Sequence, residues 1–503
     1  MIRQGSLSLA GNGRLPAYGV TSFGVILAAL AVWISRVSLV GFATLAVLLL
    51  ALIAYASMRW PRTVLVLAAM SAILDRYVVA GLLPSSLGFA THITSETLLA
   101  VVGVTVTWKA WRTGTFVPAL RHPATAFLGL FLALAAISTL VNRVPITQAV
   151  AGLIFTIDAV AFFYLARMVG FNLKQALFAI SALVGLLIVA SALAVLQALL
   201  DPNLLGLNSL VGRFGEPYRL ASIFGDPNVF GALISATLPF AIAAAVRAPR
   251  PRDRWIAAPI VLLLSMALWL SFSRGGWIGM FVGFTVVGLI LDRRSWLVGA
   301  AALVVAFAIV ASMPRNLLLA KSSHGAENPV TSTQSRFETV GKGIDLRTLF
   351  VLNGIPILAN HQLVGVGPGR YGGAAADIFG TPIYAQYGTD RLLTRPDQRT
   401  VDNFWLHLFV EFGVLGGLAF VGMILVSGVP ILRQAAATTG WRRVALFGIA
   451  ATALCIIVNS VTTMLLEANS VGYVFWFLLG VGSVLAAGSD SELPAAHDLP
   501  QRP

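Results

Sequence analysis

Two arginines are the first candidates for chemistry in this sequence. Arg219 lies in the polar stretch Arg213–Asn228, just before an apolar run, and Arg274 lies in Ser271–Trp277, a very short link between two apolar runs. A guanidinium group keeps its charge and donates two parallel hydrogen bonds to a phosphate or carboxylate. We therefore predict that Arg219 and Arg274 bind a phosphate-bearing group. The structural alternative for Arg274 is an anchor that holds a helix end at a membrane surface.

The longest polar segment of the chain, Met313–Val401, carries nine Lys and Arg residues and is followed by Asp402 and Asn403. A concave cationic surface concentrates anionic substrates, so we predict a basic binding surface in this segment. Asp402 and Asn403 stand at the membrane entry of a predicted helix, where ionisable groups suggest a function.

Structural roles are open for several of these polar residues. Asp226 and Asp402 each precede an apolar run, so each could cap the N-terminus of a helix. His407 and Glu411 stand four residues apart and could pair on one helix face. His361 could be an ordinary loop histidine, and any single basic residue of the polar segment could be a solvated surface charge.

The composition of the chain predicts that membrane helices position these residues. The chain has 503 residues, 58% hydrophobic and only 11% charged, and its mean hydropathy is +0.86. A soluble domain has about a quarter of its residues charged. Apolar runs of about 20 residues cross a ~30 Å hydrocarbon core as helices, whereas barrel strands would alternate in polarity. We therefore predict an all-α polytopic membrane protein of about 12–14 transmembrane helices. The predicted spans are near 18–35, 38–57, 63–80, 93–111, 124–141, 148–167, 175–199, 228–246, 255–272, 275–291, 295–312, 403–432, 443–465 and 468–487.

The distribution of basic residues predicts the orientation. With a cytoplasmic N-terminus, 19 of the 34 Lys and Arg residues fall in cytoplasmic segments and five in short outer links, as the positive-inside rule requires. The first apolar run follows Arg14 without a small-residue cleavage site, so we interpret it as a retained helix. The predicted organisation is a helical region over 1–312, a large extracytoplasmic loop with short amphipathic helices over 313–401, further transmembrane helices over 402–488 and a disordered tail over 489–503.

The sequence shows no metal- or nucleotide-binding motif in the structural context that such a motif requires. The single cysteine, Cys455, permits no intramolecular disulfide. No zinc-ligand spacing, phosphate-binding glycine loop, nucleophile elbow or dinucleotide fingerprint is found in place. We therefore predict no metal or nucleotide cofactor. The net charge of +14 is attributed to membrane orientation rather than to nucleic-acid binding.

The order of four motifs resembles the O-antigen ligase and O-antigen polymerase superfamily. They are Arg219–Asn228 before a helix, Phe272–Trp277, Gly365–Tyr371 after the large loop begins, and Asp402–Gly413. The resemblance implies a bacterial inner-membrane glycosyltransferase with its active site on the periplasmic side. Its implied partners are an undecaprenyl diphosphate-linked glycan donor, a glycan or lipid-linked acceptor and membrane lipids, with a chain-length regulator as a further candidate.

The candidate site residues follow from this reaction. Cleavage of the bond between glycan and diphosphate leaves negative charge, which fixed guanidinium groups stabilise. The attacking hydroxyl needs a proton acceptor, and Asp402 is the best-placed carboxylate. Because aspartate is ordinarily a weak base at neutral pH, this role requires desolvation. We predict Asp402, Arg274 and Arg219 as catalytic residues. The predicted substrate-binding residues are Arg213, Asn228, Arg336, His361, Arg370 and Asn403.

Asp402–Asn403 distinguishes between branches of the superfamily. Ligases are expected to carry a histidine followed by a small polar residue at this place, so an aspartate followed by an asparagine favours a polymerase. A ligase is the second hypothesis. A transporter of a lipid-linked glycan is the third, and it is disfavoured because we find no internal repeat between the two halves of the chain.

Overall fold

The computed structural model describes residues 39–74, 88–200, 204, 210–211, 219–224, 226–312, 346–389 and 400–488. The predicted helix near 18–35, the candidate residues Arg213 and Arg336, and the predicted tail over 489–503 lie outside these ranges. Two short antiparallel strands, β1 (Leu210–Val211) and β2 (Arg219–Leu220), pair Leu210 with Leu220 and Val211 with Arg219. The other elements of the described ranges are helices.

The first part of the chain contributes eight helices within the described residues. Their bounds are α1 Leu39–Arg59, α2 Pro61–Leu74, α3 Gly88–Arg112, α4 Phe116–Leu120, α5 Ala124–Val141, α6 Ile146–Ile157, α7 Val160–Val169 and α8 Leu173–Leu199.

The remaining helices begin after β2. Their bounds are α9 Pro227–Arg247, α10 Pro251–Leu270, α11 Arg274–Ile278, a π-helical turn Gly279–Gly283, α12 Phe284–Leu291, α13 Arg293–Ser312, α14 Leu346–Asn360, α15 Ala374–Phe379, α16 Pro382–Gln386, α17 Phe404–Ala437, α18 Gly440–Asn459 and α19 Asn469–Ala487.

The predicted all-α polytopic membrane class is confirmed. Within the described residues, nine helices are long and apolar enough to cross a membrane, or ten if the bent pair α6–α7 is one span. That pair differs from the single span predicted near 148–167, because its two helices meet at 53°. The span predicted near 443–465 also differs, since α18 ends at Asn459, where a polar run begins.

The centre of the bundle is formed by helices with small residues on their contact faces. The apolar windows of α9 and α19 are both 78% buried, whereas those of α5 and α13 are 22% buried and form the periphery. Gly448 of α18 packs directly on Phe240 of α9, and the Thr452 hydroxyl bonds to the Ala236 carbonyl. Small residues let helices approach closely, which is how membrane helices gain packing energy without a hydrophobic driving force.

Helix α17 is broken at Gly413. This residue has φ 70° and ψ 179°, a conformation that a residue with a side chain rarely adopts. The 34 residues of α17 would extend roughly 51 Å as one helix, which is more than a ~30 Å hydrocarbon core needs. The part after the break, Val414–Ala437, is long enough to cross the core alone. The first turns, Phe404–Phe412, are therefore available to another part of the structure.

A loop subdomain, formed by residues 346–389 and 400–412, has its own apolar core. That core is Phe350, Ile357, Val366, Tyr371, Ile383, Tyr384, Val401 and Val410, all at most 4% exposed. It joins α14, α16 and the first turns of α17 to residues 363–373, which we call the glycine-rich segment. The Tyr371 hydroxyl donates to the Phe350 carbonyl at 2.7 Å, and burial raises the pKa of Tyr371 above its ordinary value. We call the end of the bundle next to this subdomain the loop side.

Candidate functional site

Arg219 on β2 is held by two other elements at the loop side. Its Nη2 donates to Oδ1 of Asn228 at 2.6 Å, and its Nε donates to the Ser271 carbonyl at 3.3 Å. Asn228 lies in the first turn of α9, and Ser271 follows the last residue of α10. Asp226 caps α9 by accepting from the Asn228 N–H at 2.7 Å. The structure therefore brings two predicted site residues, Arg219 and Asn228, into direct contact.

Arg274 is the first residue of α11 and follows a tight turn. Ser273 caps this helix by accepting from the Gly276 N–H at 3.2 Å, and Phe272 has the uncommon positive φ of 47°. A Cβ on Gly231 of α9 would lie 2.5 Å from the Cβ of Ser273. The turn is thus pressed against the same first turns of α9 that carry Asn228. Arg219 and Arg274 consequently belong to adjoining elements of one region, and both are partly exposed.

The loop-side end of α18 connects this region to Asp402 and Asn403. A side chain at Gly275, next to Arg274, would collide with Oδ1 of Asn459 and Oγ1 of Thr462. Just beyond Asn459, the Ser460 carbonyl accepts from the Phe404 N–H at 2.9 Å. The starts of α11 and α17 therefore flank the same end of α18.

Asn403, rather than Asp402, caps α17. The Asn403 side chain accepts from the Leu406 N–H at 3.0 Å. Asp402 precedes the cap and is partly exposed, so the N-cap alternative for Asp402 is wrong.

A backbone hydrogen bond joins the glycine-rich segment, which carries Arg370, to Val401, the residue before Asp402. The side chain of Arg370 contacts a different element, the α5–α6 link. The Val401 N–H donates to the Gly372 carbonyl at 2.9 Å. The Arg370 Nη2 donates to the Arg143 carbonyl in the α5–α6 link at 3.3 Å. Its Nε is buried without a hydrogen-bond partner among the described residues. Burial lowers the pKa of Arg370 from its ordinary value, although the group stays charged at physiological pH.

His361 contributes to the turn after α14 through its backbone. Its N–H donates to the Ile357 carbonyl at 3.0 Å, and its carbonyl accepts from the Gly365 N–H at 2.9 Å. These bonds close the turn after α14 and begin the glycine-rich segment, and neither uses the imidazole. Its role as a substrate-binding residue stays a prediction, as do those of Arg213 and Arg336 outside the described residues.

The sequence did not predict that some residues belong to this region. Asn459, Ser460 and Thr462 join the two halves of the region, yet the pattern predicted them inside a transmembrane span. The signal that could have found them is the polar run Asn459–Thr463 in an otherwise apolar stretch. The amide nitrogen of Asn459 is buried with no hydrogen-bond partner among the described residues, and the residue is 1% exposed.

The chemistry of this arrangement is that of an anion site with polar neighbours. Guanidinium groups are suited to a diphosphate, and this region carries two of them, on Arg219 and Arg274. The Arg219 guanidinium is fixed by the Ser271 carbonyl and the Asn228 amide oxygen, and the Asp402 carboxylate lies just before the adjoining helix α17. Within the described ranges, no group of three or more His, Cys, Asp or Glu side chains is placed to hold a metal ion.

Residues 259–421 match the model of the O-antigen ligase family. Residues 259–421 are an O-antigen ligase-like domain. This confirms the predicted superfamily. The matched residues include Arg274, the glycine-rich segment and Asp402–Asn403, whereas Arg219 and Asn228 precede them. No curated protein matches the chain significantly.

Proposed function

We propose that this O-antigen ligase-type membrane enzyme transfers a glycan from an undecaprenyl diphosphate carrier to a sugar hydroxyl on the periplasmic face of the bacterial inner membrane. We further propose that it is a polymerase, so that the acceptor is itself a glycan. The observation that supports the reaction best is the arrangement of Arg219, Arg274 and Asp402. Arg219 contacts the turn that leads into α11, and the starts of α11, which begins with Arg274, and α17, which follows Asp402, flank the loop-side end of α18.

In the proposed reaction, the acceptor oxygen attacks the anomeric carbon of the donor and the bond from this carbon to the diphosphate oxygen breaks. The electron pair of that bond leaves with the lipid diphosphate. Arg219 and Arg274 stabilise the charge that develops there. The contacts of Arg219 with Asn228 and the Ser271 carbonyl orient its guanidinium group before the bond breaks. Asp402 accepts the proton of the attacking hydroxyl.

The neighbouring polar residues have supporting parts in this proposal. Asn228 orients Arg219 through its 2.6 Å contact with the guanidinium group. Asn403 fixes the first turn of α17, next to Asp402. Arg370 adds positive charge where the loop subdomain meets the bundle. Arg213 and Arg336 are proposed as further substrate-binding residues.

Alanine substitution of the two arginines tests the diphosphate site. Arg219→Ala and Arg274→Ala are each expected to lower transfer at least 100-fold, as expected for loss of a group that stabilises developing charge. The assay uses purified protein with a lipid diphosphate-linked glycan and counts new glycosidic bonds. Arg252→Ala is the control, because Arg252 is exposed at the opposite end of α10. Wild-type transfer by both site variants would overturn the diphosphate site, and relocation of the glycan without new bonds would indicate a transporter.

A deletion strain separates polymerase from ligase. Loss of a polymerase leaves single repeat units on the exported glycan, because each unit is passed on without elongation. Loss of a ligase instead leaves full-length polymer on the lipid carrier. We expect the first result, on the strength of Asp402–Asn403.

A further inference from the structure

The fully buried carboxylate of Glu411 binds the backbone on both sides of Arg370. Its Oε1 accepts from the Tyr371 N–H at 2.6 Å and its Oε2 from the Gly369 N–H at 2.8 Å. Glu411 is 0% exposed, and a buried carboxylate is costly unless such donors satisfy it. The residue between the two donors is Arg370, so this carboxylate fixes the backbone from which the arginine extends.

The break in α17 strengthens the same attachment. Because the helix is interrupted at Gly413, the carbonyls just before the break can accept bonds from outside the helix. The Val366 N–H donates to the Val410 carbonyl at 2.9 Å, and the Gly367 N–H donates to the Glu411 carbonyl at 3.0 Å. The glycine-rich segment is thus attached to one helical turn by backbone and side chain together.

A second attachment lies at the other end of the segment. His407 Nδ1 is 2.5 Å from the Tyr371 carbonyl, and its Nε2 is 3.5 Å from Oε2 of Glu467. Glu467, in the link between α18 and α19, accepts from the Ala374 N–H through Oε1 at 2.8 Å. His407 and Glu411 also lie within ion-pairing distance on one helix face, as their spacing allows, with Nδ1 and Oε1 3.9 Å apart; both bind the segment at shorter distances.

We propose that Glu411 is a positioning residue for Arg370, and that His407 and Glu467 hold the other end of the segment. The functional part of this inference rests on the proposed glycan transfer and on the place of Arg370 in its substrate site. Detaching the segment would leave a buried carboxylate without its two donors, so the attached arrangement is favoured. Arg370 is thereby held at the α5–α6 link, where its guanidinium reaches the Arg143 carbonyl.

A double-mutant cycle tests whether Glu411 acts through Arg370. Glu411→Gln keeps the shape of the side chain but replaces one acceptor oxygen by an amide donor. We expect it to raise the KM for the lipid diphosphate-linked glycan about tenfold or more, as loss of a charged hydrogen bond does, and to have little further effect when Arg370→Ala is already present. Equal effects in the two backgrounds would show a general structural role and overturn the inference.

A thiol-labelling experiment measures how firmly the glycine-rich segment is attached to α17, independently of enzymatic activity. Cys455 is fully buried, and Cys455→Ala leaves Val366→Cys as the only thiol, at a position that is 0% exposed. Glu411→Gln is expected to raise its rate of reaction with a maleimide about 10- to 100-fold, in proportion to the opened fraction. Asp377→Asn is the matched control, because it makes the same chemical change on the exposed face of α15. An unchanged rate in Glu411→Gln would contradict the attachment.

Gly373→Ala provides a second variant if Glu411→Gln fails to fold. Its Cβ would lie 2.6 Å from Cε1 of His407 and 3.0 Å from Oε1 of Glu467, so it disturbs the second attachment without changing charge. It is expected to raise both the labelling rate and the KM, whereas Gly129→Ala, where no atom lies within 4 Å, is expected to change neither. If labelling rises but Arg370→Ala transfers glycan normally, the attachment stands and the role of Arg370 in the proposed function fails.

Discussion

At the residue scale, the arginine candidates differ in how they are held. Arg219 contacts both Asn228 and the Ser271 carbonyl, so two elements fix its guanidinium group. Arg370 contacts a single carbonyl through its side chain and has a buried Nε without a partner among the described residues. Its position therefore depends on its backbone attachment more than on its own side-chain bonds.

Arg219→Lys tests whether the positive charge at this position is sufficient or whether the planar shape of the guanidinium group is also needed. Arg219→Lys keeps the positive charge but cannot reach Asn228 and the Ser271 carbonyl as a planar fork does. We expect transfer to fall about 10- to 100-fold, because hydrogen bonds to charged groups are worth ~1.5–3 kcal/mol. The turnover of the purified variant measures this effect. Arg252→Lys is the control, and equal turnover of Arg219→Lys and wild type would show that charge alone matters at this position.

The residue types of the site were accessible from sequence, but their partners were not. Arg274 stands out because an arginine in a short outer link opposes the positive-inside rule. Nothing in the spacing of Arg219 and Asn228 reveals their contact, since it depends on how β2 meets the first turn of α9. Asn459 was hidden for another reason, because a hydropathy average over a whole span conceals a polar end.

At the element scale, the break in α17 divides this helix into turns that belong to the loop subdomain and a part long enough to cross the membrane. Hydropathy predicted the region 403–432 as one span, and it could not reveal that the turns before Gly413 belong to the loop subdomain. The same limit applies to the bend between α6 and α7, because two short apolar helices at 53° have the same average hydropathy as one straight helix. The span 124–141, which has no such break, was predicted at its observed bounds.

Substitution of Gly413 tests the break. Gly413→Ala combines an unfavourable φ of 70° with a Cβ that would collide with the Leu363 carbonyl. We expect a loss of about 1–3 kcal/mol in stability, measured as a lower thermal midpoint in detergent. Gly428→Ala is the matched control in the same helix, because no atom lies within 4 Å of its Cβ and alanine is the better helix former. A midpoint for Gly413→Ala at or above that of Gly428→Ala would contradict the strained break.

The ion pair Arg247–Asp292 joins the end of α9 to the link between α12 and α13. Nε and Nη2 of Arg247 lie 2.5 and 2.6 Å from the two carboxylate oxygens. Burial alone would raise the pKa of Asp292, but hydrogen bonds from Arg247 and Ser295 outweigh it and lower this pKa to about 2. Because the folded-state pKa is depressed, the stabilisation is complete above pH ~4 and is lost as the pH falls towards 2.

Asp292→Asn is accordingly expected to be destabilising at pH 7 and nearly neutral at low pH. We expect about 1–2 kcal/mol at pH 7, a reduced figure because the Arg247 side chain is 35% exposed. Thermal midpoints of variant and wild type between pH 7 and 2 should begin to converge below pH ~4 and lie close together near pH 2. Asp253→Asn, at a partly exposed position, should show no such convergence. A constant difference across this range would rule out titration of Asp292 as its cause.

At the scale of the whole molecule, the orientation of the bundle can be read by thiol labelling. With Cys455→Ala as background, Leu363→Cys reports on the loop side, where Leu363 is 66% exposed. Arg252→Cys reports on the opposite end of α10. We expect a membrane-impermeant maleimide to label the first in intact cells with a permeabilised outer membrane, and the second only after lysis. The reverse pattern would place the candidate site in the cytoplasm and exclude periplasmic transfer.

The break at Gly413 also determines which part of the chain can be exchanged as a unit. The loop subdomain ends in space at Phe412, although the polar segment of the sequence ends at Val401. Val366 and Tyr371 are bonded to Val410 and Glu411. In a graft of residues 346–401 from a related protein, the first pair would come from one parent and the second pair from the other. A recombined enzyme therefore needs the junction at Gly413, so that the segment and the helical turns that hold it come from one parent.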